Sequence, residues 1–505
     1  MLILLIAAFT RFVNLPTRGM WDSDQGHDML VLLALVRDGV VPLIGPPTSI
    51  GDFHHGALYY WILAPAAFVS GADPVVVVAL IATAGVLSVA VVWWLGRSIG
   101  GPIAAFAAGL LMAVSSTAIE ESTFIWNPNL IALSSSIAFA AAWRAWTTWR
   151  TRWWMVAAAA LAITMQLHVL GWVLLVPFAA LLVADARRTS TVERGGVWRA
   201  GLGAVVVIAL SYLPLLAHEL GGGFTETRAL VAFLTGGGSE TATLNPLARV
   251  VVVGLRALSW PLAGLITAAP IAAFLAALAT AGVCVWRLRA GSPRERRASA
   301  WFGATLAWSI LALAIAAPSL ATVVEGLPND HYHAFLDPIV FVLAGLGVAA
   351  FWRWGLAGRF VAAAAVVAVA AFNVATWPPG VASDGGWPAA QAAGQRIVAS
   401  VQSDQVLLIG VPTFKPPDAV GFPLARQGHP PAGLMDLTGR FDGFTLAVPC
   451  DRLFESVVGA ACGGPAEDAE AASIDAGWQL VDRFDASART SISVYRRSSA
   501  ARLAD

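Results

Sequence analysis

Long apolar stretches separated by short polar turns dominate this chain. Stretches near the length a bilayer requires read at about 74–96, 102–118, 127–146, 153–167, 169–185, 198–217, 262–286, 299–320, 334–352 and 359–377. Residues 1–16 form a shorter apolar run that Arg11 interrupts. They lack a basic flank and a small-x-small cleavage site, so they read as a first span rather than a cleaved signal peptide. The pattern predicts an all-α polytopic membrane protein with about eleven transmembrane helices. Three regions depart from it. Residues 17–72 form a mixed first loop, in which Met29–Arg37 predicts an amphipathic helix lying on the membrane, and Gly45-Pro46-Pro47 and Gly51-Asp52 read as turns. Residues 218–260 form a second long loop with glycine runs at Gly221–Gly223 and Gly236–Gly238. These runs read as hinges, which would suit a lid. Residues 378–505 are polar, with strand-like runs at Gln405–Val411, Phe444–Val448 and Ser491–Tyr495 and a helical Gln391–Val401. They predict a small C-terminal α/β domain beside a 1–377 membrane domain.

Composition supports that reading. Of 505 residues, 58% are hydrophobic and 12% charged, with a mean hydropathy of +0.71; a soluble domain does not look like this. Net charge is zero, which gives no field for nucleic acid. Many of the 21 tryptophans end apolar runs, as Trp93-Trp94 and Trp153-Trp154 do, in the manner of an interfacial belt. Lys415 is the single lysine. Cys284 lies in an apolar run, whereas an extracytoplasmic tail would allow a disulfide between Cys450 and Cys462.

Arginine fixes the orientation. Arg97, then Arg144/Arg150/Arg152, Arg187/Arg188/Arg194/Arg199, Arg287–Arg297 and Arg353/Arg359 all fall in alternate loops. By the positive-inside rule these loops are cytoplasmic, as is the N-terminus. The first loop, the second loop and the tail then lie outside a cytoplasmic membrane.

The candidate chemistry gathers on that outer side. Trp21-Asp22-Ser23-Asp24-Gln25-Gly26-His27-Asp28 places three carboxylates and an imidazole within seven residues of a chain poor in acids, and ionisable groups at a membrane edge are costly. A partly desolvated carboxylate beside another gains a raised pKa and can accept a hydroxyl proton. Asp24 is the main candidate; Asp22 and Asp28 could equally cap the following helix. The same side holds His54-His55 before Tyr60, Glu121 with Asn127 and Asn129, His168, and His331-Tyr332-His333. The histidines, with Arg249 and Arg256 on the second loop, could balance a phosphate, and Tyr332 could support it. Glu121, Asn127 and Asn129 could bind an acceptor, or Pro128 and Asn129 could simply start the next span. His168 reads as pocket wall or core histidine. No triad and no cofactor motif is present; a divalent metal is compatible with the carboxylates.

The order of these features resembles the GT-C glycosyltransferases, specifically the polyprenyl-phosphate-sugar-dependent family that includes protein O-mannosyltransferases and aminoarabinose transferases. The resemblance runs through about residues 1–377. It rests on Arg11-Phe12-Val13-Asn14-Leu15, Asp24-Gln25, the 42–48 segment, His55-Gly56-Ala57-Leu58-Tyr59-Tyr60, Trp126-Asn127-Pro128-Asn129, Gln166-Leu167-His168, and His331-Tyr332 ahead of Asp337-Pro338. It implies transfer of a sugar from a polyprenyl-phosphate donor to a protein, lipid or cell-wall glycan acceptor outside the membrane. In such enzymes the first-loop Asp acts as general base or orients the acceptor, and Asp24 stands at that position. Many relatives carry Asp-Glu where this chain has Asp24-Gln25, and a second proline where it has Gly56-Ala57. Two other classes share parts of the pattern. A non-catalytic lipid-linked-sugar binder or flippase would not need Asp24, and a secondary transporter would show inverted repeats or mid-span charges.

Overall fold

The computed structural model describes residues 1–48, 51–237, 244–322, 329–401, 405–432 and 444–497. Apolar helices form one bundle with a small sheet domain docked at one end. Among the described residues, eight helices are long and apolar enough to cross a membrane, from Pro74–Gly100 to Gly355–Ala375. Shorter apolar helices, Leu2–Phe12, Leu58–Ser70 and Pro102–Val114, pack with them.

Arg11 is fully buried in the first helix. Its guanidinium donates to the carbonyls of Met112 (3.2 Å) and Ala113 (3.3 Å), at the end of helix Pro102–Val114. The residue that breaks the hydropathy of 1–16 therefore satisfies a helix C-terminus, which carries partial negative charge.

Several expectations are corrected. The 218–260 stretch is largely helical: Leu213–Gly222, Thr225–Ala232 and Pro246–Ala263. Gly221 and Gly222 lie inside the first of these, and Gly223 closes it at φ 70°, as a C-terminal glycine does. Gly238 lies outside the described residues. The expected span at 262–286 is preceded by a separate helix: Pro246–Ala263 lies within the stretch read as loop, and Pro270–Ala290 is the span itself. Gly264 (φ 67°) ends the first, and Pro270 starts the second. Arg249 and Arg256 lowered the apparent hydropathy of the first and hid it. Met29–Arg37 is helical, as the pattern predicted. It belongs to helix Ser23–Asp38, which packs between helix Leu58–Ser70 and the C-terminal helix Asp418–Arg426. Gly45-Pro46-Pro47 is strand rather than turn: Ile44–Pro47 pairs antiparallel with His54–Gly56.

The C-terminal sheet has four strands. Gln405–Leu408 runs parallel to Phe444–Asp451, then Thr490–Arg497 and Trp478–Asp485 follow antiparallel. Helix Gly386–Val401 stands where the residues predicted one. Cys450 and Cys462 form a disulfide. Trp387, Phe422 and Ala425 belong to the core of the helical bundle, not to the two cores that pack on the sheet. The rings of Trp21 and Trp387 are 4.7 Å apart.

The bundle has two chemically distinct ends. Asp73, at the start of helix Pro74–Gly100, pairs with Arg426 of the C-terminal domain (2.8 Å), while Arg97 lies in that helix's last turn. At the arginine end, Arg188 lies over Trp146 (3.9 Å) and Trp149 (4.0 Å). Arg287 (2.7 Å) and Arg353 (2.8 Å) meet on Glu295.

Candidate active site

Helix Ser23–Asp38 is the scaffold. Asp22 caps it, accepting from the Ser23 amide (2.7 Å), while Gln25 Oε1 accepts from the Asp22 amide (2.8 Å). That reciprocal cap fixes the entry angle of the helix. Gln25 Nε2 donates to the Ile125 carbonyl (2.9 Å), tying the helix to the next segment of the site. The capping role considered for Asp22 is thus its geometry here, although its carboxylate also pairs with Lys415 and Arg489.

Asp24 and Asp28 lie one turn apart in different surroundings. Asp28 is buried and accepts from Tyr59 Oη (2.7 Å) and Tyr60 Oη (2.8 Å). Burial, against the two phenol hydrogen bonds, pushes its pKa up to about 7. Tyr60, expected to touch substrate, is occupied by this contact. Asp24 is open to water yet recessed among neighbouring groups. Desolvation and then the nearby Asp22 raise its pKa, while Lys415, His27 and a hydrogen bond from Trp126 act in the opposite sense. An open carboxylate with a raised pKa is fit to take a proton.

Trp126 leads from Asp24 into a cluster of rings. It lies 4.2 Å from His331, whose ring is 5.6 Å from His168; His168 in turn is 4.9 Å from His55 and 5.0 Å from Tyr332. Residues distant in sequence thus form one continuous set. His55 accepts from the Val169 amide (3.3 Å), and His168 caps the following turn by accepting from the Leu170 amide (3.2 Å). Burial, with His168 and His54 close by, holds the His55 pKa well below the usual range, so its ring is neutral. Among the described residues, His331 Nδ1 is buried without a partner.

His54 binds Glu226 twice, through its amide (2.7 Å) and Nδ1 (3.0 Å). Both line an apolar cavity of about 470 Å³ walled by Phe53, Met165, Trp172, Tyr212, Leu230 and Phe233. His55 lines it too, which joins the cavity to the ring cluster.

Other expected ligands are already committed. Arg256 is fully buried and makes five hydrogen bonds: to both oxygens of Asp330 (2.8 and 2.6 Å), Asn329 Oδ1 (2.6 Å), and the carbonyls of Leu320 (2.7 Å) and Thr322 (3.0 Å). Every guanidinium donor is taken, so it is not free to balance a phosphate. His333 Nε2 joins Asp330 (3.2 Å). Asn127 donates to the Leu167 carbonyl (2.5 Å) and Asn129 to the Phe124 carbonyl (2.8 Å), which makes both supports of the backbone. Arg249 sits on helix Pro246–Ala263, two turns before Arg256, and its Nε has no partner among the described residues. Glu121 accepts from the Trp260 indole (3.3 Å); burial, with Glu120 and Asp330 nearby, pushes it up to about 8.

Glu226 and the cations Lys415 and Arg489 were not anticipated, whereas Trp126 and Asp337 stood in the motifs that carried the resemblance without a role of their own. Asp337 is buried, with Oδ1 unpartnered among the described residues. Its carboxylate in a helical stretch was a legible signal; Glu226 and the two tail cations carry none. Among the described residues no three or more His, Cys, Asp or Glu gather in a way that could hold a metal ion.

Comparison with known proteins adds to this geometry. Residues 54–212 match the family model described as dolichyl-phosphate-mannose-protein mannosyltransferase. That segment contains His54, His55 and His168. No curated protein sequence matches. The fold is similar to ArnT from Cupriavidus metallidurans, solved bound to undecaprenyl phosphate. The match has a TM-score of 0.60 at 14% identity and covers 98% of this chain and 97% of that one. It is also similar to the oligosaccharyltransferase of Archaeoglobus fulgidus, solved with zinc and sulfate. There the TM-score is 0.52 at 12% identity, covering 90% of this chain and 68% of that one. The bundle of apolar helices and the docked sheet domain thus give this multi-pass membrane protein an ArnT-like GT-C fold.

Proposed function

We propose that this chain transfers a sugar from a polyprenyl-phosphate donor to an acceptor hydroxyl at the outer face of the cytoplasmic membrane. One observation carries the reading. An apolar cavity with His54, His55 and Glu226 on its lining is linked through His168, His331 and Trp126 to the recessed carboxylate of Asp24. The cavity suits an isoprenoid chain, and its polar groups suit the attached phosphate.

The chemistry follows from the placement. Asp24 takes the acceptor hydroxyl proton as the acceptor oxygen attacks the anomeric carbon. The bond from that carbon to the phosphate oxygen breaks, and polyprenyl phosphate leaves with the electron pair. A single displacement inverts the anomeric centre. Hydrogen bonds from the ring nitrogen that Glu226 leaves free on His54, which lines the cavity, would stabilise the leaving phosphate. Neutral His55 would add a hydrogen bond without drawing the proton meant for Asp24. Asp28, held by two tyrosines and titrating near 7, keeps the helix in place and limits the negative charge facing Asp24.

The test is turnover. Purified protein given undecaprenyl-phosphate-linked pentoses and hexoses, with membrane extract as acceptor, should release undecaprenyl phosphate as the sugar transfers. Saturable binding of those lipids without any release would instead identify a carrier.

A further inference from the structure

The C-terminal domain grips the Asp helix along its length. Lys415 Nζ lies 2.5 Å from Asp22 Oδ1 and 2.5 Å from Asp451 Oδ2. Arg489 Nη2 lies 3.0 Å from Asp22 Oδ2 and 2.8 Å from Asp451 Oδ2, and its Nε donates to Asp451 Oδ1 at 2.9 Å. Two carboxylates and two cations alternate in a closed ring of zero net charge. Further along, Ser23 Oγ donates to the Pro416 carbonyl (2.6 Å), and His27 pairs with Asp418 (3.1 Å). Arg37 donates to the carbonyls of Ala425 and Arg426, both at 2.8 Å. At Gly26 the two backbones meet so closely that a Cβ would lie 2.1 Å from the Asp418 carbonyl oxygen. Only glycine permits that approach.

We infer that the C-terminal domain is a positioning element of the acid/base site, in which Lys415 sets the charge beside Asp24. This rests on the proposed role of Asp24. Several groups face that carboxylate. Asp22, His27 and Asp28 come from its own helix, Lys415 from the tail, Trp126 from the following segment, and Tyr59 and Tyr60 from helix Leu58–Ser70. Of these, Lys415 is the group whose ammonium contacts Asp22 directly. It neutralises Asp22, two residues from Asp24, and so keeps the base ionised while the rest of the ring holds the helix end still. Replacing Lys415 by a neutral residue leaves the ring with net charge −1, and Asp24 then keeps its proton to higher pH. Replacing Asp451 by a neutral residue leaves net charge +1, and the shift reverses.

The test uses the full-length protein in lipid nanodiscs and measures kcat/KM for undecaprenyl phosphate release against pH. Lys415→Met should move the acidic limb up by about one pH unit, the scale of one nearby uncompensated charge screened by water. Asp451→Asn should move it down, Lys415→Arg should overlay wild type, and KM for the donor should hold throughout. A wild-type limb in both Lys415→Met and Asp451→Asn would overturn the inference, as would a uniform loss that Lys415→Arg does not rescue. If Lys415→Met does not fold, the downward shift of Asp451→Asn decides alone. Asp24→Asn is run beside them. Activity retained there overturns the base assignment, whereas an inactive Asp24→Asn with an unshifted Lys415→Met overturns only the role of the tail.

Discussion

Two ion-pair networks flank Trp126, and they differ in what surrounds them. The ring of Asp22, Lys415, Asp451 and Arg489 is partly open to water. The cluster of Arg256, Asp330 and His333 is sealed, with side chains no more than 1% exposed. In water, a salt bridge contributes little to stability, but its charges still act on a neighbouring carboxylate. A sealed pair cannot lose one partner without stranding the other. The open ring is therefore suited to tuning Asp24, and the sealed cluster to holding helix Pro246–Ala263 against the segment that carries His331.

The largest break in that comparison is on the sealed side. Arg256→Leu should destabilise the protein by about 3–5 kcal/mol, because the buried Asp330 loses its guanidinium and keeps only His333. Pairing it with Asp330→Leu should recover much of the loss, read by thermal unfolding in detergent. If the single substitution costs as little as an exposed pair would, the two networks do not differ in kind.

A mid-sized effect belongs to Asp28. Its folded pKa of about 7 stands above the unfolded value, so the folded state holds the extra proton. Stability from this group is present below the unfolded pKa and is lost as pH rises towards 7. Between pH 5.5 and 7.5 the loss should be about 2 kcal/mol, and Asp28→Asn should abolish that slope. An unchanged slope would show that Asp28 titrates normally.

The smallest effect is expected on the open side. His27→Gln removes one water-exposed contact to Asp418 and should cost under about 1 kcal/mol. A larger loss would mean that the open network also carries the fold.

Much of this was legible in the residues, and what was not has a common cause. Hydropathy located most helices, and the carboxylates of 22–28 stood out because acids are scarce elsewhere. The disulfide followed from two cysteines in a polar tail. Helix Pro246–Ala263 was hidden because hydropathy assigns Arg256 the full cost of a charge, while the fold cancels it with Asp330, 74 residues away. Lys415 meets Asp22 across 393 residues and Arg489 meets it across 467, separations that no local pattern encodes. Glu226 was lost in a stretch read as loop. Arg11 shows the same limit in reverse: it read as an interruption, but it is the donor that closes a neighbouring helix.

The central claim is that Asp24 is the base of a glycosyl transfer. The direct measurement is release of undecaprenyl phosphate from an undecaprenyl-phosphate-linked sugar by wild type and by Asp24→Asn, with donor binding measured on both. The account predicts turnover by wild type, a loss of about 10²-fold or more in the variant, and equal donor affinity. Equal turnover by both proteins would contradict it.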